Sequence, residues 1–184
     1  WSGQSPLEAY YISSILHGAP HVMRNLVLNF LSTQNEEGEV DNKPGLAAQH
    51  SKLLAAPLLA TLAWKYYQNT KDDAFLAEVY PKLIKFFWSW FSAAHDRNRD
   101  GAPEWDHILQ TGFDDNPIFD VWNPWSQGLN ISLVHNPSLE SMLYREAKSI
   151  GKMAKQIGKH EEETALIQSQ AEKLRESIVT SWNA

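Results

Sequence analysis

Apolar residues recur at three-to-four spacing in six windows of the chain, each closed by a glycine, a proline or a polar cluster. Ser5-Pro6-Leu7-Glu8 has the form of a capping box with proline at the first helical position, which predicts a helix to about His17, ended by Gly18. A second helix opens at Pro20 and carries Met23, Val27, Phe30 and Leu31 on one face, before "STQNEEGEVDNKPG" breaks the pattern. The set Leu54, Leu58, Leu62 and Tyr66 predicts a third, starting near Pro57, where a proline fits the first turn. Phe75, Val79, Leu83, Phe86 and Trp90 form the stripe of a fourth over about Asp72 to Ala94, with a bend expected at Pro81. Asn136-Pro137 opens a fifth with Leu139, Leu143, Ala147, Ile150 and Ile157 on one face, ended by Gly158. The sixth spans roughly His160 to Trp182, with Ile167, Ala171, Leu174, Ile178 and Trp182 on its stripe.

Only "LNISLV", Leu129 to Val134, alternates weakly as a strand would, so the expected class is all-α. Short connections between helices alternate with long ones, from Ser32 to Ala48 and from His95 to Asn136. That alternation predicts three antiparallel helical hairpins with their long loops at one end, in a single domain over residues 1–184. A connection as long as 95–136 is uncommon in a compact domain and is usually functional.

Composition narrows the function. The 184 residues carry a formal charge of −6 and no block of like charge, which gives no footprint for nucleic acid or an anionic membrane. No apolar run approaches the roughly 18 residues of a membrane span. The absence of cysteine excludes disulfides and thiolate metal sites and leaves the compartment open. The seven histidines show no paired spacing on one helix, no GxSxG surrounds a serine, and no phosphate loop is present.

What remains is the stretch His95 to Trp122, "HDRNRDGAPEWDHILQTGFDDNPIFDVW", with six aspartates, a glutamate and two tryptophans. Asp96, Asn98, Asp100, Gly101 and Glu104 match positions one, three, five, six and nine of a calcium loop, but position twelve is His107. Two readings fit: a structural calcium site, or an Asx-rich turn in which aspartates bond their own backbone. No other cofactor is required. Downstream, adjacent Asp114 and Asp115 disfavour double ionisation, which raises one of them toward the range of a general acid, although the dipeptide alone reads more readily as a solvated acidic turn before Pro117. Trp105, Trp122 and Trp125 lie in irregular, polar sequence, where tryptophan commonly stacks on a ligand, and point to a sugar.

These segments resemble a known family. "RNRDGAPEW" and "QTGFDDNP", preceded by "PLLATLAWKYYQNTKDDAFLAEVYPKLIKFFWSW" and followed by "NPSLESMLYREAKSIGKMAKQIG", are similar to the α-glucosidase and mannosylglycerate-hydrolase-like enzymes of glycoside hydrolase family 63. They are more distantly similar to the trehalases. The likeness runs from about Pro20 to Trp182 and implies an (α/α)6 barrel, an inverting mechanism and an α-linked glucoside or related sugar as substrate. It places the general acid two residues after the motif glycine, at Asp114. Beside it, Asp115 and Gln110 are read as supports or sugar contacts, and Trp105 and Trp122 as residues lining the pocket. An inverting enzyme needs a second carboxylate roughly 6.5–9.5 Å away, which in this family lies in the later half of the barrel. Six helices amount to half of a twelve-helix ring. The expectation is therefore a piece of the catalytic domain, inactive alone, whose apolar edges are covered by the rest of the barrel or by another copy. Two departures stand out: Ala55-Ala56-Pro57 occupies the place of the family's Gln-Pro-Pro, and its tryptophan-aspartate motif before the first helix is missing unless Trp1 is its remnant. A non-catalytic carbohydrate-binding or interaction module built on the same hairpins is the alternative.

Overall fold

The computed structural model of the chain describes residues 3–45, 50–112, 130–159 and 161–182. Among them are seven α-helices: α1 Pro6–Ile15, α2 Pro20–Leu31, α3 Leu59–Thr70, α4 Asp73–Ser89, α5 Ile108–Thr111, α6 Pro137–Gln156 and α7 Glu161–Trp182. The described residues hold no strand, only an isolated antiparallel bridge between Asp41 and Leu54. The all-α expectation stands. The described part of the weakly alternating "LNISLV" is instead a 3-10 turn over Ile131–Leu133, capped where Asn130 Oδ1 accepts from Ser132 N. The unforeseen element is α5, whose four residues are too few to show a period.

Helix starts follow local chemistry. At α1 the Ser5 hydroxyl accepts from Glu8 N at 3.3 Å, while the Glu8 carboxylate accepts from Ser5 N at 2.6 Å, closing the capping box. Asp72 accepts from Phe75 N at 2.9 Å to open α4, and Asn136 accepts from Ser138 N at 2.9 Å to open α6. α3 starts at Leu59, two residues later than Pro57 suggested, and its N-cap Leu58 offers no side chain to the first amides. α4 runs through Pro81 and ends at Ser89 rather than Ala94.

The successive pairs α1–α2, α3–α4 and α6–α7 pack together, and α3 also touches α1, α2 and α6. This central position explains why Leu59, Ala60, Thr61, Leu62 and Ala63 are all buried: the first turn of α3 is covered on every side, while Gln68 and Asn69 near its end are exposed. The core continues through Phe75, Leu76, Val79, Leu83 and Phe86 of α4 and through Leu139, Leu143, Ala147 and Ile150 of α6. The stripes read for α2, α4 and α6 are buried faces, with Ile157 half-buried past the end of α6; on α7 Ile167, Ala171 and Leu174 join the core and Ile178 is half-buried.

The long connections meet. Gln110 Nε2 donates to the Leu54 carbonyl at 2.8 Å, His95 lies 3.5 Å from Glu39, and His135 lies 3.2 Å from Asp100. None of the described helices is long and apolar enough to cross a membrane.

Candidate active site

Where the connections converge, a cleft of about 950 Å³ opens between α1, residues 42–43 and 51–58, α5 and the first turns of α6. Its wall includes Tyr10, Lys43, Ala56, Gln110, Gly112 and Arg145. The size suits a small organic ligand of one or two sugar rings. Gly112 ends α5 in the left-handed conformation, φ +72°, and a Cβ there would meet Leu7 Cδ1 of α1 at 2.7 Å. The left-handed backbone is what favours glycine there, because the tip of the Leu7 side chain can shift to admit a Cβ.

The cationic side of the cleft is built on Tyr10. Arg145 donates to its hydroxyl at 3.1 Å and lies 4.9 Å over the ring, while Lys65 Nζ sits 4.3 Å from the same ring centre. The hydrogen bond from Arg145, together with both charges, lowers the Tyr10 pKa against the opposing effect of burial. Lys43 pairs with Glu8 at 3.6 Å, whereas Arg145 makes no ion pair among the described residues.

Gln110 lies at the junction. Its carbonyl accepts from Asp106 N at 2.9 Å and from His107 N at 2.8 Å, and its amide donates to Leu54 O at 2.8 Å and to Asp106 Oδ2 at 3.1 Å. Asp106 is held in turn by His95 Nδ1 at 2.9 Å and by Arg97 at 2.8 Å. Burial pulls the Asp106 pKa upward, but the hydrogen bond and charge of His95, with Arg97 and Gln110, outweigh it and leave the carboxyl below its ordinary range.

The acidic turn closes on itself. Asp96 accepts from Asp100 N and Gly101 N, each at 3.1 Å, Asn98 Oδ1 accepts from Asp100 N, and Asp100 Oδ1 accepts from Ala102 N at 2.8 Å. Glu104 accepts from Arg97 N at 3.3 Å. His107, at the twelfth position, is the N-cap of α5, accepting from Leu109 N at 3.2 Å. Among the described residues no three His, Asp or Glu side chains are grouped to hold a metal ion. Asp96, Asn98, Asp100 and Glu104 accept from amides of the turn itself, those of Arg97, Asp100, Gly101 and Ala102, in the pattern of an Asx-rich turn.

Trp105, read from the sequence as a pocket wall, is fully buried and packs edge-on against Trp90 at 5.6 Å and 89°. It is a core residue and does not line the cleft. The physical reason is that the turn 96–104 folds back on the end of α4, with Glu104 N donating to His95 O at 2.8 Å, and tucks the indole inward. Asp114, Asp115 and Trp122 lie outside the described residues.

The sequence reading overlooked Glu146. Fully buried on α6, its carboxylate accepts from Ala60 N at 2.7 Å and Thr61 N at 2.8 Å, supplying the cap that α3 lacks. Burial raises its pKa to about 7, against the lowering effect of the Thr61 and Ala60 hydrogen bonds. The signal was present: Glu146 interrupts the stripe between Leu143 and Ile150, and a carboxylate on a buried face requires a partner.

The profile of the mannosylglycerate hydrolase MGH1-like glycoside hydrolase domain matches residues 9–184. The chain belongs to this family. A mannosylglycerate hydrolase of glycoside hydrolase family 63 from Thermus thermophilus, solved with glucose, superposes with a TM-score of 0.75 at 14% identity, over 97% of this chain and 57% of that one. The same enzyme with Tris and D-glycerate gives 0.75 at 16% identity, over 97% and 58%. A trehalase from Arabidopsis thaliana is 27% identical over 100 residues, 54% of this chain and 15% of its own length. The chain thus spans a little over half of the Thermus hydrolase and 15% of the trehalase, and it carries about half of the helical-barrel fold of the former.

Proposed function

We propose that this domain carries the general-acid side of an inverting α-glycosidase, with Asp114 donating the proton to the departing glycosidic oxygen. The observation that supports this reading is Gly112 in the wall of a cleft of about 950 Å³. Asp114 follows two residues after this glycine in the sequence. The motif that follows is the one the resemblance associates with the acid. Asp115 and Trp122 belong to the same stretch and are proposed as a support and a wall of the sugar subsite.

The opposing carboxylate base is assigned to the part of the barrel that this chain's match does not reach, about 43% of the Thermus hydrolase by difference from the 57% covered. The exposed apolar side chains Tyr11 and Ile15 of α1 and Leu166 and Val179 of α7 are the edges that the rest of the barrel would cover. Arg145, a cation on the cleft wall without an ion-pair partner among the described residues, favours an α-glycoside whose leaving part bears an acid, as mannosylglycerate does, over a neutral one.

The test is hydrolysis of α-mannosylglycerate, α-glucosylglycerate and neutral α-glucosides by the whole protein and by its Asp114→Asn variant. Turnover that falls by about 10²–10⁴ in the variant supports the assignment. Saturable sugar binding without turnover, unchanged by the substitution, would identify a binding module instead.

A further inference from the structure

We infer that Gln110 is a positioning residue, a staple that fixes the α5 turn against the Leu54 segment, and that it does not contact the sugar. This rests on reading the cleft as the glycosidase site.

A glutamine amide has two N–H donors and two acceptor lone pairs on its oxygen. All four are used within the protein: two by the Asp106 and His107 amides, one by Leu54 O and one by Asp106 Oδ2. A side chain only 1% exposed and fully hydrogen-bonded has nothing left to offer a hydroxyl group. Its partners are the informative part. Asp106 and His107 precede α5, and Leu54 lies 56 residues earlier, in a segment tied to Val40 and Asn42 by backbone hydrogen bonds of 2.8 Å. The amide therefore locks together two connections that share no helix. α5 is four residues long and ends at Gly112, so with one turn of its own it cannot hold that position by itself. Remove the staple and Gly112 loses its fixed place in the cleft wall. Displacement of a reacting group by about 1 Å costs on the order of a hundredfold in rate.

Two variants separate the parts of this network. Gln110→Leu removes all four bonds at similar volume. Gln110→Glu keeps oxygen acceptors for the Asp106 and His107 amides but offers a donor to Leu54 O only when its carboxyl is protonated. In the whole protein, with the best glycoside found for the wild type, we expect kcat to fall about 10–100-fold in Gln110→Leu with KM within about threefold. We expect the kcat of Gln110→Glu, relative to wild type, to recover as the pH is lowered. Amide hydrogen exchange over residues 106–112 should accelerate in Gln110→Leu, a readout that needs no activity. An unchanged kcat in both variants at a temperature where they are folded would overturn the proposal. So would a raised KM with unchanged kcat, which marks a direct sugar contact. If the wild type hydrolyses no glycoside, the glycosidase reading fails, and the staple is judged by exchange alone: faster exchange confined to 106–112 upholds it, and unaltered exchange sinks it.

Discussion

The carboxylate of Glu146, midway along α6, accepts a hydrogen bond of 2.7 Å from the amide of Ala60, 86 residues earlier in the chain. With the second bond from Thr61 N it completes the first turn of α3, the helix at the centre of the molecule, and leaves no amide of that pair unpartnered in the core. A side chain from one hairpin thus finishes the backbone of another.

Replacing Glu146 with glutamine leaves one acceptor oxygen for two buried amides and aims an NH₂ at the other, a cost of about 1–3 kcal/mol. The pH dependence has a definite sign. The folded-state pKa is raised from 4.5 to about 7, so the protonated form is favoured by folding, and this group's contribution is complete below about pH 4.5 and lost as pH rises through about 7. Wild-type stability relative to Glu146→Gln should therefore decline over that window in denaturant titrations; a difference that stays flat would contradict the buried titration.

Asp106 behaves in the opposite sense. Its pKa is depressed, so its contribution is present above the ordinary aspartate range and disappears as pH falls through the lowered folded value. Asp106→Asn should cost about 1.5–3 kcal/mol at neutral pH, by weakening bonds to His95 and Arg97, and should flatten the acid limb of the unfolding curve.

Trp105 and Trp90 form a fully buried edge-to-face pair. Trp105→Ala should lower stability by about 3–5 kcal/mol, and Trp105→Phe by less, with sugar affinity unchanged in the phenylalanine variant as measured by calorimetry. Loss of affinity at full stability would return Trp105 to the pocket.

Gly112 and Gly158 offer a matched comparison, since both have φ +72°. Alanine at either position costs about 1–2 kcal/mol for the left-handed conformation. Only Gly112→Ala also presses on Leu7 at the cleft, whereas a Cβ at Gly158 meets nothing within 4 Å. Both variants should therefore melt earlier, and only Gly112→Ala should lose kcat.

The elements that could be read directly were those whose information is local. The capping box at Ser5, Asn136-Pro137 and the apolar stripes of α2, α4 and α6 each lie within a few residues, and each appears where the pattern placed it. The same local reading placed α3 two residues early and passed over α5, because Pro57 resembles a helix start and four residues cannot show a period. At the site, the acidic stretch and its glycine were legible as chemistry, but their neighbours were not. Residue type said that Trp105 could stack on a sugar and that Gln110 could bind one; burial of the first and four internal hydrogen bonds on the second follow from a turn folding back on α4 and from Leu54, 56 residues away.

By itself the sequence determined the all-α class, the helix register and the residue types gathered near the cleft, because hydrophobic period and capping chemistry act over one or two turns. Only the tertiary structure decided which groups meet: Glu146 with the start of α3, Gln110 with Leu54, Trp105 with Trp90. Such pairings depend on how helices far apart in the chain share one core, and every buried polar group must then find its partner wherever that packing leaves it.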